Sequence, residues 1–202
     1  IRPMPRPKDR SKPADVSQRF DIIETSLPGL RLLQRKPLGD SRGYLERLFC
    51  SSELAEVMEG AAIAQINHTL TRARGTVRGL HFQHPPHAEI KLVTCLHGEV
   101  FDVAVDLRAG SPTFLAWHSE RLSGENHRTL AIPRGFAHGF QTLTADCEML
   151  YLHSAAYNPA AEAGLNPRDP KLAIDWPREI AQLSERDTSH PFIDEFLQGV
   201  SL

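Results

Sequence analysis

Five side chains that can exchange protons or bind metal ions lie close together in residues 77–93, VRGLHFQHPPHAEIKLV. They are His81, His84, His87, Glu89 and Lys91. A neutral imidazole is a common metal ligand, and because its unperturbed pKa is near 6.5, it can also abstract a proton at neutral pH. The segment therefore predicts either part of a metal centre or an acid–base site that works without a metal.

A metal centre needs three or more nitrogen or oxygen ligands that converge on one point. The metal-binding cupins supply them from an HxH pair with a downstream Glu and from a later PxGxxH. This chain resembles them in PRGFAH, residues 133–138, but HFQ, with Gln83, replaces HxH, and Glu89 lies too far downstream. His84 and His87 flank two prolines, which is typical of a loop. We therefore predict a cupin-like shape with no metal.

The composition is that of a globular protein. Of the 202 residues, 41% are hydrophobic and 24% are charged, and the formal net charge is −2. This charge disfavours nucleic acid as a partner, because nucleic-acid-binding domains usually carry a basic face. The sequence contains no run of 18 apolar residues, so it predicts no membrane-spanning helix. The three cysteines lack CxxC spacing, which indicates free thiols and a reducing cytoplasm.

The N-terminal segment differs from the rest of the chain. Residues 1–19 contain four prolines, six Lys or Arg residues and almost no apolar side chains. Such a segment buries too little apolar surface to offset the entropy of ordering. We predict a flexible basic arm over residues 1–19 and one domain over residues 20–202.

Short apolar or alternating segments, separated by turn signals at intervals of about ten residues, run through most of the domain. They are AIAQINHTL, TVRGLHFQ, IKLVTCL, VFDVAVDLR, TFLAWHSE, TLAIP and CEMLYLHS. Many short strands and few helices predict an all-β protein, a cupin-like antiparallel jelly roll or β-sandwich.

Local patterns add four details. GLRLLQRK and YLERLF flank the turn cluster PLGDSRG, which predicts a hairpin. SELAEVM predicts a short helix capped by Ser52. In VFDVAVDLR, the alternation of apolar residues with Asp102 and Asp106 predicts a strand with one face in solvent. Residues 173–198 predict short helices that cap the barrel.

Several longer motifs occur together: QINHT, VRGLHFQ, KLV, GEVFDVAVDLR, SPTF, IPRGFAHGF, YNP and DWP. In this order and spacing they resemble the dTDP-4-dehydrorhamnose 3,5-epimerase family, from GDSRGYLERLF, residues 39–49, to LSERDTSHP, residues 183–191. The chain departs from the family pattern at three positions. Glu89 replaces a Gln, Leu115 replaces a Gly, and Pro167 replaces an aromatic residue.

The resemblance implies an isomerase that inverts carbons 3 and 5 of a nucleotide-diphosphate-linked 4-keto-6-deoxyhexose, with no redox cofactor and no metal. Both carbons flank the ketone, so a proton on either can leave to give an enolate and return from the opposite face. This reaction needs a base, an acid on the other face, and a cation or hydrogen-bond donor at the enolate oxygen.

The resemblance assigns a residue to each of these roles. His81 is the base, the Asp187 carboxylate orients its ring, and Tyr151 is the acid on the opposite face. Lys91 holds the enolate oxygen, and an inward-facing lysine in the strand IKLVTCL is costly to bury without a partner. Each residue also has a structural alternative: a core histidine, a helix cap, a packed tyrosine and a solvent-facing lysine.

For the diphosphate we expect Arg78, because a guanidinium fork matches phosphate oxygens. Five further residues are expected to bind substrate in the same cavity: Gln65, Asn67, His138, Tyr157 and Glu162. Three residues match positions from which the family's partner subunit reaches the nucleotide: Arg42, Tyr44 and Glu46. The last set predicts a homodimer with exchanged N-terminal strands.

Three other functions stay open on the sequence alone. Epimerases that invert only C3 or only C5, or that use another nucleotide, share most of these residues. A metal-dependent cupin enzyme and a non-catalytic sugar-nucleotide-binding module belong to different classes. The presence of every proton-transfer residue favours an enzyme over the binding module.

Overall fold

The computed structural model describes residues 18–195 and 197–202. Most of the predicted arm, residues 1–19, lies outside the described residues, so the arm and its boundary with the domain stay predictions. Within the described part, thirteen strands and one short helix form: β1 (Phe20–Glu24), β2 (Arg31–Arg35), β3 (Leu38–Asp40), β4 (Gly43–Leu45), β5 (Gln65–Thr71), β6 (Val77–Gln83), β7 (Lys91–His97), β8 (Glu99–Asp106), β9 (Trp117–Ser123), β10 (Arg128–Ile132), β11 (Phe136–Thr142), β12 (Cys147–His153), β13 (Glu162–Gly164) and α1 (Glu185–Ser189).

Two antiparallel sheets form the body of the protein. The first has the strand order β1-β2-β10-β7-β12-β5, and the second has the order β13-β6-β11-β8-β9. One apolar cluster joins their inner faces, since it contains Val93 and Met149 from the first sheet and Ala104 and Phe140 from the second. The predicted all-β antiparallel sandwich is confirmed.

The outer face of each sheet is covered as well. The C-terminal segment packs Leu172, Ile193 and Val200 onto the second sheet, and residues 49–63 pack onto the first. The apolar residues Phe101, Val103 and Val105 of β8 face this outer covering, whereas Asp102 and Asp106 alternate onto the inner face, with Val100 and Ala104, and are fully buried. The prediction that one face of β8 meets solvent is wrong, because the alternation there separates two buried faces.

Three local predictions need correction. Residues 51–60 form successive turns instead of the predicted helix. The bond from Met58 N–H to Leu54 O spans four residues, as in an α-helix, but the bond from Gly60 N–H to Ala55 O spans five. The hairpin is the small pair β3–β4, while β2 instead pairs with β1 and β10. Of residues 173–195, only α1 is helical.

No helix among the described residues is long and apolar enough to span a bilayer.

An irregularity in β6 changes the direction of its side chains. On the partner strand β11, His138 pairs with His81 and Phe140 pairs with Arg78, so β6 has one extra residue between the two pairs. The extra residue shifts the alternation by one. Arg78 and His81, three residues apart, therefore both line the same cavity. Gly79 lies within this stretch and has a φ of +123°.

Polar residues occupy one end of the inner faces. In β7 the side chains of Lys91, Val93 and Cys95 alternate onto the inner face, as do Met149 and Tyr151 in β12. Val93, Cys95 and Met149 are fully buried in the central cluster. Lys91 and Tyr151 instead line a cavity. The sandwich therefore has an apolar core at one end and a polar hollow at the other.

Two of the three departures from the family pattern lie away from this hollow. Leu115 has a φ of +63°, a region that glycine adopts without strain, and its side chain packs on the outer apolar cluster. The carbonyl of Pro167 accepts a hydrogen bond of 2.9 Å from Trp176 Nε1. Among the described residues, only the third departure, Glu89, lines the cavity.

We predict that Gly79→Ala lowers the free energy of unfolding by about 2–5 kcal/mol. A Cβ on this residue would lie 2.5 Å from Gly139 Cα, and alanine would also have to hold a positive φ. Urea denaturation followed by tryptophan fluorescence measures the loss. Gly60→Ala is the matched control, because Gly60 has a φ of +74° with nothing within 4 Å of its added Cβ; it should lose only about 1–2 kcal/mol. Equal losses in both variants would contradict the steric explanation.

Candidate active site

A cavity of about 1280 Å³ opens at the polar end of the sandwich, which is large enough for a nucleotide-sized ligand. Its walls come from both sheets and from the segment that contains α1. Ten of the residues predicted from the sequence line it: Gln65, Asn67, Arg78, His81, Lys91, His138, Tyr151, Tyr157, Glu162 and Asp187. Folding thus brings together residues that are far apart in the chain.

His81 and Asp187 form a hydrogen-bonded pair across a separation of 106 residues. His81 Nε2 lies 2.6 Å from Asp187 Oδ1, and the carboxylate is almost completely buried. Since the carboxylate accepts, Nε2 carries the proton and Nδ1 is the basic nitrogen. This geometry fits a general base held in one tautomer by a carboxylate.

Asp187 is held in place from three sides. Its second oxygen accepts a hydrogen bond from the Gly79 backbone N–H at 3.3 Å, and Ser184, the N-cap of α1, binds the Asp187 N–H at 3.0 Å. Burial alone would raise the pKa of Asp187, but His81, the Gly79 N–H and Ser184 together lower it. The carboxylate therefore stays ionised and can stabilise a protonated His81. The N-cap of α1 is Ser184 and not Asp187, so the helix-cap alternative for Asp187 does not apply.

Tyr151 lies on β12, in the sheet that faces His81. Burial, followed by the negative charge of Asp102, raises the pKa of the Tyr151 phenol, so this residue holds its proton firmly. Its ring makes an edge contact with His138 at 6.1 Å between centroids and stacks on His153 at 6.0 Å. The phenol can donate a proton into the cavity from the side opposite His81.

Lys91 points into the cavity and belongs to a buried charged group. Its Nζ lies 3.1 Å from Glu89 Oε1 and donates to the His81 carbonyl at 3.3 Å. The other oxygen of Glu89 accepts from His153 Nδ1 at 2.9 Å. The three side chains are only 8–13% exposed. Two of the three ammonium donors are thus used, which leaves one for a ligand.

His138 forms a second buried pair with Asp102. His138 Nε2 lies 2.9 and 3.0 Å from the two Asp102 oxygens, and both side chains are buried. Burial raises the pKa of Asp102, while His138 and Lys91 oppose that effect. The pair fixes the His138 ring beside Tyr151 in the cavity floor.

Cations and neutral donors surround the cavity mouth. Arg78 is exposed and uses Nε to donate to Thr71 at 2.9 Å. Gln65 Nε2 bonds Asn67 Oδ1 at 3.2 Å. Arg186 binds both oxygens of Glu162 at 3.1 Å. The Arg186 guanidinium is thus paired with a carboxylate, whereas Arg78 has only its Nε in a described hydrogen bond and keeps its other N–H groups for an anionic ligand.

Three predicted residues lie outside this chain's own cavity. Arg42 forms an exposed ion pair with Asp40. Tyr44, on the same β3–β4 hairpin, is 62% exposed. Glu46 Oε1 accepts from Arg35 Nε at 2.9 Å and lies 2.8 Å from a ring nitrogen of His127. Any role for these residues in substrate binding requires a second subunit.

The segment HFQ, which replaces the HxH pair of the metal-binding cupins, offers few ligands to a metal ion. The Gln83 amide is taken up by the backbone of His87 and Asn158, and His84 and His87 lie in a loop as predicted. Among the described residues, one group could hold an ion: His81, Asp187 and His190. The Arg186 guanidinium, 3.1 Å from His81 Nε2, would repel a metal cation there.

Sequence reasoning missed Asp102, His153 and Arg186. The alternation in β8 predicts a solvent-facing Asp102, whereas the side chain lies buried on the inner face, because the apolar residues of β8 pack under the C-terminal segment instead. His153 follows Tyr151 by two residues on the same strand, so the period of two would have placed it in the cavity. Arg186 directly precedes Asp187 in the sequence and also lines the cavity, so its position next to a predicted site residue was the signal available.

Comparisons with known proteins agree with this geometry. The sequence model described as dTDP-4-dehydrorhamnose 3,5-epimerase matches residues 24–195. An enzyme of that name from Sinorhizobium fredii is 43% identical over 171 residues, which cover 84% of this chain and 88% of the relative. A dTDP-4-dehydrorhamnose 3-epimerase from Streptomyces niveus is 46% identical over 149 residues, 73% of this chain and 72% of that protein.

A solved structure is similar over most of its length. It is the dTDP-6-deoxy-D-glucose-3,5-epimerase of Legionella pneumophila in complex with dTDP-4-keto-L-rhamnose. It superposes with a TM-score of 0.84 at 40% identity and covers 91% of this chain and 99% of its own.

We predict that the stability difference between the wild type and Asp187→Asn depends on pH. Folding lowers the pKa of this carboxyl, so its ionisation stabilises the folded state above the unfolded pKa, and that stabilisation is lost as the pH falls through the folded pKa. The difference should be largest above about pH 4 and shrink below it. Urea titrations at several pH values measure it, with the exposed residue variant Asp175→Asn as control. A difference that stays constant down to about pH 2 would contradict the assignment.

Proposed function

The chain belongs to the dTDP-4-dehydrorhamnose 3,5-epimerase family, and on this premise we propose that His81, Lys91 and Tyr151 carry out its reaction. The protein is an isomerase that epimerises a dTDP-linked 4-keto-6-deoxyhexose beside its ketone. The substrate we assign is dTDP-4-keto-6-deoxyglucose, which would give dTDP-4-keto-rhamnose after inversion at both C3 and C5.

The proposed reaction uses one enolate for each inverted carbon. Nδ1 of His81 takes the proton from C3 or C5, and the electron pair of the broken C–H bond moves onto the ketone oxygen. The ammonium of Lys91 stabilises that oxygen, and removing one such donor typically lowers the rate about 10²–10³-fold. Tyr151 then delivers a proton to the opposite face of the carbon as the C=O bond re-forms, which leaves a phenolate, and His81 releases the proton that it took to solvent.

One observation carries this proposal. His81 stands on β6 of the five-stranded sheet, and Tyr151 stands on β12 of the six-stranded sheet, yet both line the same cavity. A sugar ring between the two sheets would present one face to the imidazole and the other to the phenol. Proton removal on one face and delivery on the other is inversion, so the facing positions support epimerisation.

The remaining cavity residues are proposed to bind the substrate. Arg78, with only Nε in a described hydrogen bond, is placed to bind the diphosphate. Gln65 and Asn67 supply neutral donors beside it, and His138 lines the sugar subsite next to Tyr151. Tyr157 donates to Glu162 at 2.9 Å, so this pair would form one edge of the cavity mouth.

The protein is further proposed to be a homodimer with exchanged N-terminal strands. Arg42 and Tyr44 project from the exposed β3–β4 hairpin, outside their own cavity, as residues that serve a neighbouring subunit would. Both bonds to Glu46 use Oε1, which leaves Oε2 for a ligand. The free cysteines, Cys50, Cys95 and Cys147, support a reducing compartment, the cytoplasm.

A second candidate is inversion at C3 alone. It is favoured by the relative from Streptomyces niveus, which is named as a 3-epimerase and is 46% identical to this chain. Proton NMR of the product separates the two candidates through the nuclear Overhauser effect between the C3 and C5 protons. These protons lie on opposite faces of the ring after inversion at C3 alone and on the same face after inversion at both carbons.

We predict that the wild-type protein, incubated with dTDP-4-keto-6-deoxyglucose in deuterated water, places deuterium at both C3 and C5. His81→Asn should abolish this incorporation, because asparagine fills much of the same space but cannot accept the proton. Mass spectrometry and proton NMR follow the label. Incorporation at the wild-type rate in His81→Asn would remove His81 from the mechanism. The control variant His118→Gln changes a histidine that does not line the cavity and should incorporate normally.

Subunit mixing tests the exchanged strands. If the hairpin of one subunit completes the cavity of the other, Arg42→Ala and His81→Asn should each be inactive alone. Random reassortment then gives mixed dimers with one intact site, so about a quarter of the wild-type activity should return. No recovery from two folded, dimeric variants would contradict strand exchange.

A further inference from the structure

A third imidazole–carboxylate pair lies in the cavity wall on the side of Tyr151. His153 Nδ1 is 2.9 Å from Glu89 Oε2, and the two side chains are 13% and 8% exposed. Burial alone would raise the pKa of Glu89, but His153 and Lys91 lower it, so the carboxylate is ionised. The pair has the same chemical composition as His81–Asp187 on the facing sheet.

The two nitrogens of the His153 ring have different partners. Because the Glu89 carboxylate can only accept, Nδ1 carries a proton. Nε2 accepts a long hydrogen bond of 3.5 Å from the Asn67 amide N–H at the cavity wall. The ring stacks on Tyr151 with 6.0 Å between centroids and an interplanar angle of 20°. Groups that lie too far apart for a direct hydrogen bond can be connected by a bridging water or a substrate hydroxyl.

The proposed mechanism leaves Tyr151 without its proton after each inversion. Burial and the nearby Asp102 carboxylate disfavour the phenolate, so the residue must regain a proton before it can act again. An enzyme that inverts two carbons needs this step twice for each substrate molecule. His153 is the titratable ring that stacks directly on the phenol.

We propose that the His153–Glu89 pair returns a proton to Tyr151 after each inversion, an inference that rests on the proposed function of Tyr151. In this step the Nε2–H bond of a protonated His153 breaks, and a new O–H bond forms on the phenolate. His153 becomes neutral, keeps Nδ1–H bonded to Glu89, and takes its next proton from water at the cavity mouth. His153 thus acts through Tyr151 as a positioning and relay residue.

The identity of residue 89 fits this role. A glutamine at this position, as the family resemblance gives, could accept the hydrogen bond from His153 Nδ1 but could not balance a positive charge on the ring. Glu89 can do both, and it also contacts Lys91 at 3.1 Å. The carboxylate therefore makes a protonated His153 possible beside an ammonium.

The test compares one turnover with many. In His153→Gln, Tyr151 still carries its own proton at the start, so a rapid-quench single-turnover inversion should proceed within about threefold of the wild-type rate. Steady-state turnover should fall by about tenfold or more, because the phenolate is no longer reprotonated efficiently. The variant should therefore show a burst of one inverted centre per active site. Glu89→Gln, which keeps the hydrogen bond to His153 Nδ1, should show a less pronounced burst and a smaller loss of steady-state rate than His153→Gln.

His68→Gln is the matched control. His68 on β5 and Glu148 on β12 form a similar pair at 3.0 Å, but with exposed side chains outside the cavity. This variant should behave like the wild type in both phases. Single-turnover and steady-state rates that fall together in His153→Gln, or a steady state that does not fall, would overturn the relay. A wild-type protein that inverts no carbon at all would instead overturn the proposed function.

Discussion

The hydrogen bond between His81 and Asp187 is the contact on which the rest of the site depends. It joins residues 106 positions apart at 2.6 Å, and several features of the fold serve to close it. The extra residue in β6 turns His81 inward, Gly79 takes a positive φ so that its N–H can reach the carboxylate, and Ser184 starts the short helix that carries Asp187. The C-terminal segment that bears α1 is in turn fixed by apolar packing on the outer face of the sheet.

The cavity is polar because its charges occur in pairs. Three imidazole–carboxylate pairs line or support it: His81–Asp187, His138–Asp102 and His153–Glu89. A lone charge buried between two sheets would be strongly destabilising, whereas a paired and hydrogen-bonded one is tolerated. Each pair also fixes the tautomer of its imidazole. Pairing an imidazole with a carboxylate therefore has two effects: it reduces the cost of burying the charge, and it leaves a defined ring nitrogen for proton transfer.

The strands were predictable because a period of two is a local property of the chain. Segments such as IKLVTCL and CEMLYLHS form strands where the pattern placed them. The pattern could not reveal that both faces of β8 are buried, since that depends on what packs outside the sheet. Nor could it place Asp187 beside His81, a pairing suggested only by the family resemblance. Residues 51–60 have helical spacing in sequence but form turns, with Leu54, Val57 and Met58 packed against the first sheet.

The central claim is that two residues on facing sheets divide the reaction, with His81 removing protons and Tyr151 returning them to the other face. Tyr151→Phe in deuterated water tests this division most directly, because it removes the donor while leaving the base and the ring packing in place. Exchange of the substrate protons beside the ketone should continue through His81, while inversion falls by about 10²-fold or more. Inversion at the wild-type rate in this variant, or loss of exchange together with inversion in a folded protein, would contradict the claim.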